Sequence, residues 1–368
     1  MDFLSQALSE ARLGLGRTSP NPAVGAVVVN EGVIVGRGHH IYAAQKHAEV
    51  VALEEAGERS RGAALYVTLE PCAHTGRTGP CAQAIIDAGV KHVIAAMEDP
   101  NPMVAGRGFE MLRAAGVQVM LDPRYTAEAE SLNEAFCFFM RERRPLVTLK
   151  SAVTLDGKIA APDDNTGWIT SEQARLHVQT LRHLTDSILT GIGTVLADNC
   201  LLTDRSGEER SRPLLRIVLD SQLRLPPHSH MVETCSNDVL VVTTSAASAE
   251  RRAVLERRGV EVVVLDAPDG RTSLRAVVEL LASRNYLSLM IEAGSKVNWT
   301  ALESGITDKI FFYYAPKILG GMQSLPVAGG IGRRRRADAV RFRNLKLHPI
   351  SSDEFAVEAW MMRPPRQQ

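Results

Sequence analysis

The chain has 368 residues, which is long for a single hydrophobic core, so we expect two domains. Lysine and arginine number 42, as do aspartate and glutamate, and the formal net charge is +0. A neutral chain with only 5% aromatic residues neither attracts a polyanion nor offers many stacking surfaces, so we expect no nucleic-acid partner. No apolar run reaches the ~18 residues of a membrane span, and five cysteines, an odd number, favour a reducing cytoplasm over a disulfide framework.

The first part of the chain predicts a helix, a hairpin and then alternating helices and strands. Residues 1–15 are amphipathic and lack the apolar block of a signal peptide. The hairpin strands are Ala23–Val29 and Gly32–Gly36. Helices are predicted near His47–Ala56, Cys81–Ala88 and Gly108–Ala115, with strands near Ala64–Leu69, His92–Met97 and Val117–Leu121. This alternation favours a sheet between two helix layers.

A domain boundary is predicted at a charged run that ends in a proline. Residues Thr126–Met140 form one amphipathic pattern and predict a single helix, and Pro145 ends the run that follows. We therefore expect domains at 1–145 and 146–368.

The most specific motif lies in the first domain and predicts a catalytic zinc site. It comprises His47, Glu49, Cys72 after a proline, and Cys81. Two cysteines and a histidine are often ordinary core residues, but two of these three stand at predicted helix starts, where a thiolate is stabilised. Three ligands leave the fourth tetrahedral position of Zn²⁺ for water. In this arrangement the glutamate moves protons and does not bind the metal.

The second part predicts another α/β domain. Strands are expected at Leu146–Val153, Leu215–Leu219, Val239–Thr243, Val260–Leu265, Leu287–Ile291 and Ile310–Tyr314, and helices at Ala247–Arg258, Arg271–Arg284 and Val297–Glu303. A full dinucleotide fingerprint is missing after Gly191-Ile192-Gly193. The better phosphate signal is the turn at Glu292–Ser295, between a strand and a helix. The run Arg333–Arg336 is expected to be a solvated loop rather than a binding patch.

Several segments together resemble the bifunctional deaminase–reductase family of riboflavin biosynthesis. They are SPNPAVGAVV, HAEV, YVTLEPCAHTGRTGPC and EDPNPMVAGRGFEML in the first domain, and TLDGKIA, GWITSEQAR, LADNCLLTDR and IEAGS in the second. The loop between Cys72 and Cys81 is longer than the two-residue spacing of cytidine and tRNA-adenosine deaminases, which disfavours a tRNA-editing enzyme.

The resemblance implies a fold, two reactions and two cofactors. The first domain would be a cytidine-deaminase-like three-layer α/β/α domain, and the second a dihydrofolate-reductase-like α/β domain. The reactions would be zinc-dependent removal of the 2-amino group from a diaminopyrimidinone that carries a ribosylamino 5′-phosphate, and NADPH-dependent reduction of its ribose to ribityl. The partner would be this small molecule, and we expect a homo-oligomer.

The resemblance also implies roles for individual residues. Asn21 would bind the pyrimidine, and His74 with Arg77-Thr78 the base or ribose phosphate. The NADP contacts would be Ala152, Trp168, Thr194, Asp198, Ser221, Gly294, Ser295, Lys296, Val297, Asn298, Trp299 and Thr300. The contacts to the second substrate would be Thr166, Arg182, Leu202, Arg205 and Glu292, with the arginines suited to a phosphate.

Two other hypotheses stay open at this point. The second domain could be catalytically silent in a single-activity deaminase, although the intact TLDGKIA, GWITS and EAGS segments oppose this. The first domain could be a zinc-stabilised binding module, but such a site would need a fourth protein ligand and no Glu49.

Overall fold

The structure is a computed structural model that describes residues 2–73, 79–163 and 166–362. The chain divides into two compact units, residues 1–144 with 209–212, and residues 145–208 with 213–368. The break after Arg144 lies one residue before the expected boundary, whereas the placement of 209–212 in the first unit was not expected. Among the residues that the structure describes, no helix is both long and apolar enough to cross a membrane.

The first unit contains a five-stranded sheet of order β2-β1-β3-β4-β5. β1 pairs antiparallel with β2 and β3, and β3, β4 and β5 are parallel. On one face of β1, Val27 and Val29 pack with α1. On the opposite face, Ala26 and Val28 belong to the cluster that contains residues of α2. Successive side chains of a strand point to opposite faces of the sheet, which explains this division. The elements are α1 Phe3–Arg12, β1 Gly25–Asn30, β2 Val33–His39, α2 Ala48–Ala56, β3 Ala64–Val67, α3 Cys81–Asp87, β4 His92–Ala95, α4 Arg107–Ala114, β5 Gln118–Leu121, α5 Thr126–Leu132 and α6 Glu134–Glu142.

A close helix–strand contact positions the start of α2. A Cβ atom at Gly38 of β2 would lie 2.2 Å from the carbonyl oxygen of Ala48, the first residue of α2. Only glycine leaves room for this approach. The helix that follows His47 is therefore held directly against the sheet.

The prediction of one helix over Thr126–Met140 is wrong, because the structure has two helices separated at Asn133. The Asn133 side chain accepts a hydrogen bond from the backbone N–H of Ala23 at 2.7 Å and donates one to its carbonyl at 2.9 Å. Asparagine side chains that bind backbone groups compete with helix geometry. The break therefore anchors the segment that carries Asn21.

The second unit contains a nine-stranded sheet of order β11-β10-β9-β8-β12-β6-β13-β16-β15, and β14 pairs with β7. The strands from β11 to β13 are parallel, and β16 and β15 extend the sheet antiparallel. The elements are β6 Leu146–Thr154, β7 Lys158–Ala160, α7 Glu172–His183, β8 Ser187–Gly191, α8 Ile192–Asp198, β9 Leu215–Leu219, α9 His230–Glu233, β10 Val239–Thr243, α10 Ala249–Glu256, β11 Glu261–Val264, α11 Leu274–Ser283, β12 Ser288–Ile291, α12 Ser295–Glu303, β13 Lys309–Ala315, β14 Leu325–Pro326, β15 Phe342–Pro349 and β16 Phe355–Met361.

Strand β8, which was not predicted from the sequence, matters for the second site. All five of its residues are buried, but only Ile188 and Leu189 are apolar, whereas four of the five residues of the equally buried β10 are apolar and mark that strand. The chain runs from β6 to β8 and outward to β11, and then returns to place β12 between β8 and β6. In such open sheets ligands bind at the carboxyl ends of the strands where the strand order reverses. The ends of β8 and β12, at Gly191 and Ile291, are therefore where a ligand is expected.

Candidate active sites

The first site brings together the three side chains that the sequence analysis selected as metal ligands. His47 is the residue that immediately precedes α2, Cys81 is the first residue of α3, and Cys72 lies in irregular backbone after β3. One ligand atom from each lies within 4.8 Å of the others. Within the described residues, this is the one group of three or more His, Cys, Asp or Glu side chains that could share an ion.

The donor atoms and charges of this cluster suit zinc. His47 Nδ1 lies 2.9 Å from Cys81 Sγ and 3.6 Å from Cys72 Sγ. The Cys81 thiol and the nearby His47 lower the pKa of Cys72 well below its ordinary value, which favours a thiolate. The backbone N–H of Cys81 also donates to Cys72 Sγ at 3.3 Å. One imidazole nitrogen and two sulfurs are the ligand types that zinc prefers, and three of them leave an open position.

Glu49 lies beside these ligands in the first turn of α2 and is 3% exposed. Burial, together with the negative charge of Cys72, raises the pKa of Glu49 to about 7. A buried carboxyl group next to a metal site with an open position is placed to exchange protons with a molecule bound there.

A neighbouring histidine that the sequence analysis missed fixes the orientation of Asn21. His40 is 4% exposed, and its ring lies edge-on to that of His47 with centroids 5.4 Å apart. Its Nδ1 donates to the carbonyl of Lys46 at 2.8 Å, so its Nε2 accepts from Asn21 Nδ2 at 3.0 Å. This bond fixes the orientation of the Asn21 amide, and its oxygen and its second N–H are left for a ligand. The expected contacts at His74 and Arg77-Thr78 lie outside the described residues.

The second site is centred on Glu292, directly after β12. Its carboxylate is 3.0 Å from Lys150 Nζ and receives Arg182 Nε and Nη2 at 2.9 and 3.1 Å. Burial opposes ionisation of this carboxyl, but Lys150 and Arg182 outweigh that effect and hold the pKa of Glu292 at about 2. The sequence analysis missed Lys150, although a lysine within the apolar strand β6 was a usable signal.

Of the two arginines expected to bind phosphate, the structure leaves only Arg205 exposed. Arg182 is 8% exposed, and besides Glu292 it donates from Nη1 to the carbonyl of Thr203 at 2.9 Å. Arg205 is held through its backbone N–H, which donates to Gln179 Oε1 at 2.9 Å. Leu202, in the same loop, has φ of +52° and a side chain buried in the core, so its backbone is what it can offer a ligand.

The start of α12 fits a phosphate group of a dinucleotide. Gly294 precedes α12 and has no side chain that could cap the helix. The N–H groups of the first turn therefore receive no side-chain hydrogen bond from the capping position and can bind a phosphate. The buried Ser295 Oγ and Asn298 Oδ1 have no hydrogen-bond partner among the described residues. A Cβ atom at Gly294 would lie 3.6 Å from Thr194 Oγ1 in α8, so Gly294 faces α8 across a gap that the glycine leaves free of a side chain.

The other expected cofactor contacts lie in several elements of the second unit. Lys296, Val297, Trp299 and Thr300 follow in α12, Asp198 ends α8, Ser221 follows β9 and Ala152 lies in β6. Trp168 is 69% exposed and Thr166, near it, is also exposed. Arg175 lies 4.9 Å from the centre of the Trp168 ring. Lys317, which was not predicted as a site residue, donates a hydrogen bond to the Trp168 carbonyl at 2.7 Å. The run Arg333–Arg336 is exposed, with Arg333 5.5 Å from the Trp299 ring.

Comparison with known proteins matches both halves of the chain. A family model of the cytidine and deoxycytidylate deaminase zinc-binding region matches residues 1–97, and one of the RibD C-terminal domain matches residues 145–355. The riboflavin biosynthesis protein RibD of Actinobacillus pleuropneumoniae is 40% identical over 353 residues, 96% of this chain and 93% of that protein. RibD of Escherichia coli K12 is 38% identical over 366 residues, 95% of this chain and 96% of that protein.

Solved structures agree with these matches. A RibD structure from Acinetobacter baumannii has a TM-score of 0.88 and 34% identity, covering 98% of both chains. The Thermotoga maritima diaminohydroxyphosphoribosylaminopyrimidine deaminase/5-amino-6-(5-phosphoribosylamino)uracil reductase has a TM-score of 0.82 and 35% identity, with the same coverage. The expected fold is thereby confirmed as a cytidine-deaminase-like domain followed by the reductase domain of this family. The chain belongs to the RibD family of riboflavin biosynthesis proteins.

Proposed function

We propose that this chain catalyses two consecutive steps of riboflavin biosynthesis. The first is hydrolytic deamination of 2,5-diamino-6-(5-phosphoribosylamino)pyrimidin-4-one, and the second is NADPH-dependent reduction of the ribosyl group. The product would be 5-amino-6-(5-phosphoribitylamino)uracil. The observation that carries the proposal is that one chain holds both the cluster of His47, Cys72, Cys81 and Glu49 and the network of Lys150, Glu292 and Arg182. The Thermotoga maritima relative bears the names of both activities.

In the first site, the protein residues hold the metal, the pyrimidine and the protons. His47, Cys72 and Cys81 would bind zinc, which when bound lowers the pKa of water from about 15.7 to roughly 7 and so supplies hydroxide. Asn21 would accept a hydrogen bond from the ring through its oxygen, since the bond to His40 fixes the orientation of the amide. Glu49 would accept one proton from the attacking water and deliver it to the ring nitrogen, and would then move the second proton of that water to the amino group, which departs as ammonia.

In the second site, the charged network would orient the sugar while NADPH supplies the hydride. Glu292 can accept hydrogen bonds from sugar hydroxyls, and its position is fixed by three donors from Arg182 and Lys150. Addition of hydride to the anomeric carbon of the ribose breaks its bond to the ring oxygen, and that oxygen takes up a proton to become a hydroxyl group. The Lys150 ammonium group, 3.0 Å from Glu292, would be placed to donate this proton. The exposed Arg205 would bind the substrate phosphate.

The remaining residues would form the cofactor site. The bare start of α12, with Ser295 and Asn298, suits a phosphate of NADPH, and Gly294 and Thr194 border the gap that admits it. Trp168, held by Lys317 and Arg175, would lie against the cofactor.

Location and assembly are part of the same proposal. Five free cysteines support a reducing compartment, which we take to be the cytoplasm. Leu345 and Leu347, 63% and 64% exposed on the edge strand β15, support a homo-oligomer, because exposed apolar edge strands commonly pair with another chain. Light scattering of the purified protein tests this, and a monomer at all concentrations would contradict it.

The experiment that tests the two reactions supplies the purified diaminopyrimidinone phosphate with and without NADPH. Mass spectrometry should show replacement of an amino group by oxygen in both cases, and addition of two hydrogens only with NADPH. Reduction without prior deamination, or deamination alone in the presence of NADPH, would contradict the proposal.

A further inference from the structure

The glutamate that precedes Pro71-Cys72 has a different environment from the catalytic Glu49. Glu70 is 5% exposed, and its carboxylate accepts four backbone hydrogen bonds. Oε2 receives the N–H groups of Asp99 and Gly106 at 3.1 and 2.9 Å, and Oε1 receives those of Gly108 and Phe109 at 2.8 and 3.3 Å. Both oxygens are therefore fully engaged, which leaves Glu70 no lone pair directed at a substrate.

Three of these four bonds, from Gly106, Gly108 and Phe109, complete the start of α4. Gly106 precedes the helix and provides no side-chain cap for its first N–H groups. Such N–H groups need a hydrogen-bond partner when they are buried, and a carboxylate at this position is also favoured by the helix dipole. Glu70 supplies this cap from a distant part of the chain rather than from the helix itself.

The same contact fixes the backbone next to Cys72. A Cβ atom at Gly108 would lie 1.8 Å from the carbonyl oxygen of Pro71, so the Pro71 carbonyl lies directly against the first turn of α4. On its other side, the Cys72 carbonyl accepts from the N–H of Ala82 in α3 at 3.1 Å. Cys72 is thus held between the starts of two helices.

Cys72 needs this support because no regular element carries it. His47 and Cys81 stand at helix starts, whereas Cys72 follows β3 by five residues in irregular backbone. We propose that Glu70 is a positioning residue for the metal site, which sets the place of Cys72 Sγ relative to His47 and Cys81 by tying the Pro71-Cys72 backbone to α4. The inference rests on the proposed function, since it assumes that these three side chains bind zinc.

Glu70→Gln is the direct test. The glutamine keeps the size of the side chain, and its oxygen can accept two of the four bonds. Its NH₂ group would face the other two N–H donors without accepting from them, so the start of α4 and the Pro71-Cys72 backbone must shift. Residues that orient a metal ligand typically contribute ~10- to 100-fold to metal affinity. We expect zinc affinity of the full chain, measured by competition with a chromogenic chelator, to fall in that range.

A spectroscopic measurement separates positioning from general stability. In the cobalt-substituted full chain, the thiolate-to-cobalt absorption band should shift or weaken in Glu70→Gln at a temperature where circular dichroism shows the protein folded. Gly108→Ala perturbs the same contact from the helix side and should change the band in the same way. Glu110→Gln, an exposed glutamate in the first turn of α4, is the matched control and should leave affinity and band unchanged.

The outcomes decide the proposal. Because Glu70 and Gly108 act through one contact, the double variant should be little worse than the weaker-binding single variant. Wild-type affinity and spectrum in folded Glu70→Gln would overturn the proposal, as would losses that multiply in the double variant. If Glu70→Gln does not fold, Gly108→Ala and Glu70→Asp decide on the same readouts. Full zinc retention by Cys72→Ala would instead contradict the metal site itself.

Discussion

Arg182 and Glu292 form a two-point ion pair, with Nε 2.9 Å from Oε1 and Nη2 3.1 Å from Oε2. The arginine donors that the sequence analysis assigned to a phosphate are thus largely used within the protein. With Lys150, the pair makes Glu292 a fixed, ionised acceptor at the carboxyl end of β12. This arrangement would orient a polar substrate under the proposed function, and the low pKa of the buried Glu292 makes the stability of the second unit sensitive to acid.

Glu292→Gln should change how the free energy of unfolding depends on pH. The folded pKa of about 2 lies below the ordinary value of 4.5, so ionised Glu292 stabilises the fold above pH 4.5, and this stabilisation is lost as pH falls toward 2. The difference in pKa corresponds to about 3 kcal/mol. Urea unfolding followed by tryptophan fluorescence measures this, because Trp168, Trp299 and Trp360 all lie in the second half of the chain.

We expect the free energy of unfolding of the variant to be about 3 kcal/mol lower than that of the wild type near pH 7. This difference should become smaller below pH 4.5. Exposed Glu279→Gln in α11 is the control and should show a small difference at every pH. If the difference in unfolding free energy between Glu292→Gln and the wild type does not change with pH, the carboxylate charge is not what stabilises the network.

Removal of either thiolate should remove the metal. Cys72→Ala and Cys81→Ala should each lose zinc, because two remaining ligands cannot hold the ion in competition with a chelator. Cys137→Ala, another buried cysteine of the first unit, should retain about one zinc per chain. Elemental analysis after dialysis measures this, and unchanged zinc content in both site variants would refute the ligand assignment.

Glu49→Gln should separate metal binding from catalysis. The variant keeps the shape of the side chain but cannot move protons, so deamination should slow by about 10²- to 10⁴-fold while zinc content stays normal. Reduction of pre-deaminated substrate should be unchanged. Exposed Glu54→Gln in the same helix is the control. Near-normal deamination by Glu49→Gln would assign proton transfer to another group.

Substitutions at Gly294 should affect only the reductase, in proportion to their size. The backbone there has φ of −76°, and an added Cβ would make an ordinary 3.6 Å contact with Thr194, so alanine and valine should both fold. Valine should raise the KM for NADPH much more than alanine, because its methyl groups enter the gap at the helix start. Deamination should continue in both. Equal KM values in the two variants and wild type would move the cofactor away from this turn.

Arg205→Ala should weaken binding of the second substrate. Loss of an exposed guanidinium that contacts phosphate should raise the KM of the reduction step with little effect on stability. Arg271→Ala, at an exposed arginine in the same unit, is the control. An unchanged KM would mean that another group binds the phosphate.

The zinc cluster could be predicted because its ligands carry a specific spacing, and two of them stand at helix starts that are visible in the sequence. The roles of Glu70 and Asn133 could not, because each acts through backbone N–H and C=O groups distant in the chain. Strand β8 was not predicted because only two of its five residues are apolar, so it lacks the apolar run that marks the equally buried β10. Lys150 was overlooked, although a charge within a buried strand requires a partner.

The account rests on two separate sites in one chain, and a mixing experiment tests this most directly. Glu49→Gln alone should leave the diaminopyrimidinone phosphate unchanged, and Gly294→Val alone should accumulate the deaminated, unreduced compound. Mixed in one reaction with NADPH, the two variants should together form the ribityl product, since each supplies the step that the other lacks. Failure of the mixture to form this product while both variants remain folded and the wild type forms it, or complete conversion by either variant alone, would contradict the account.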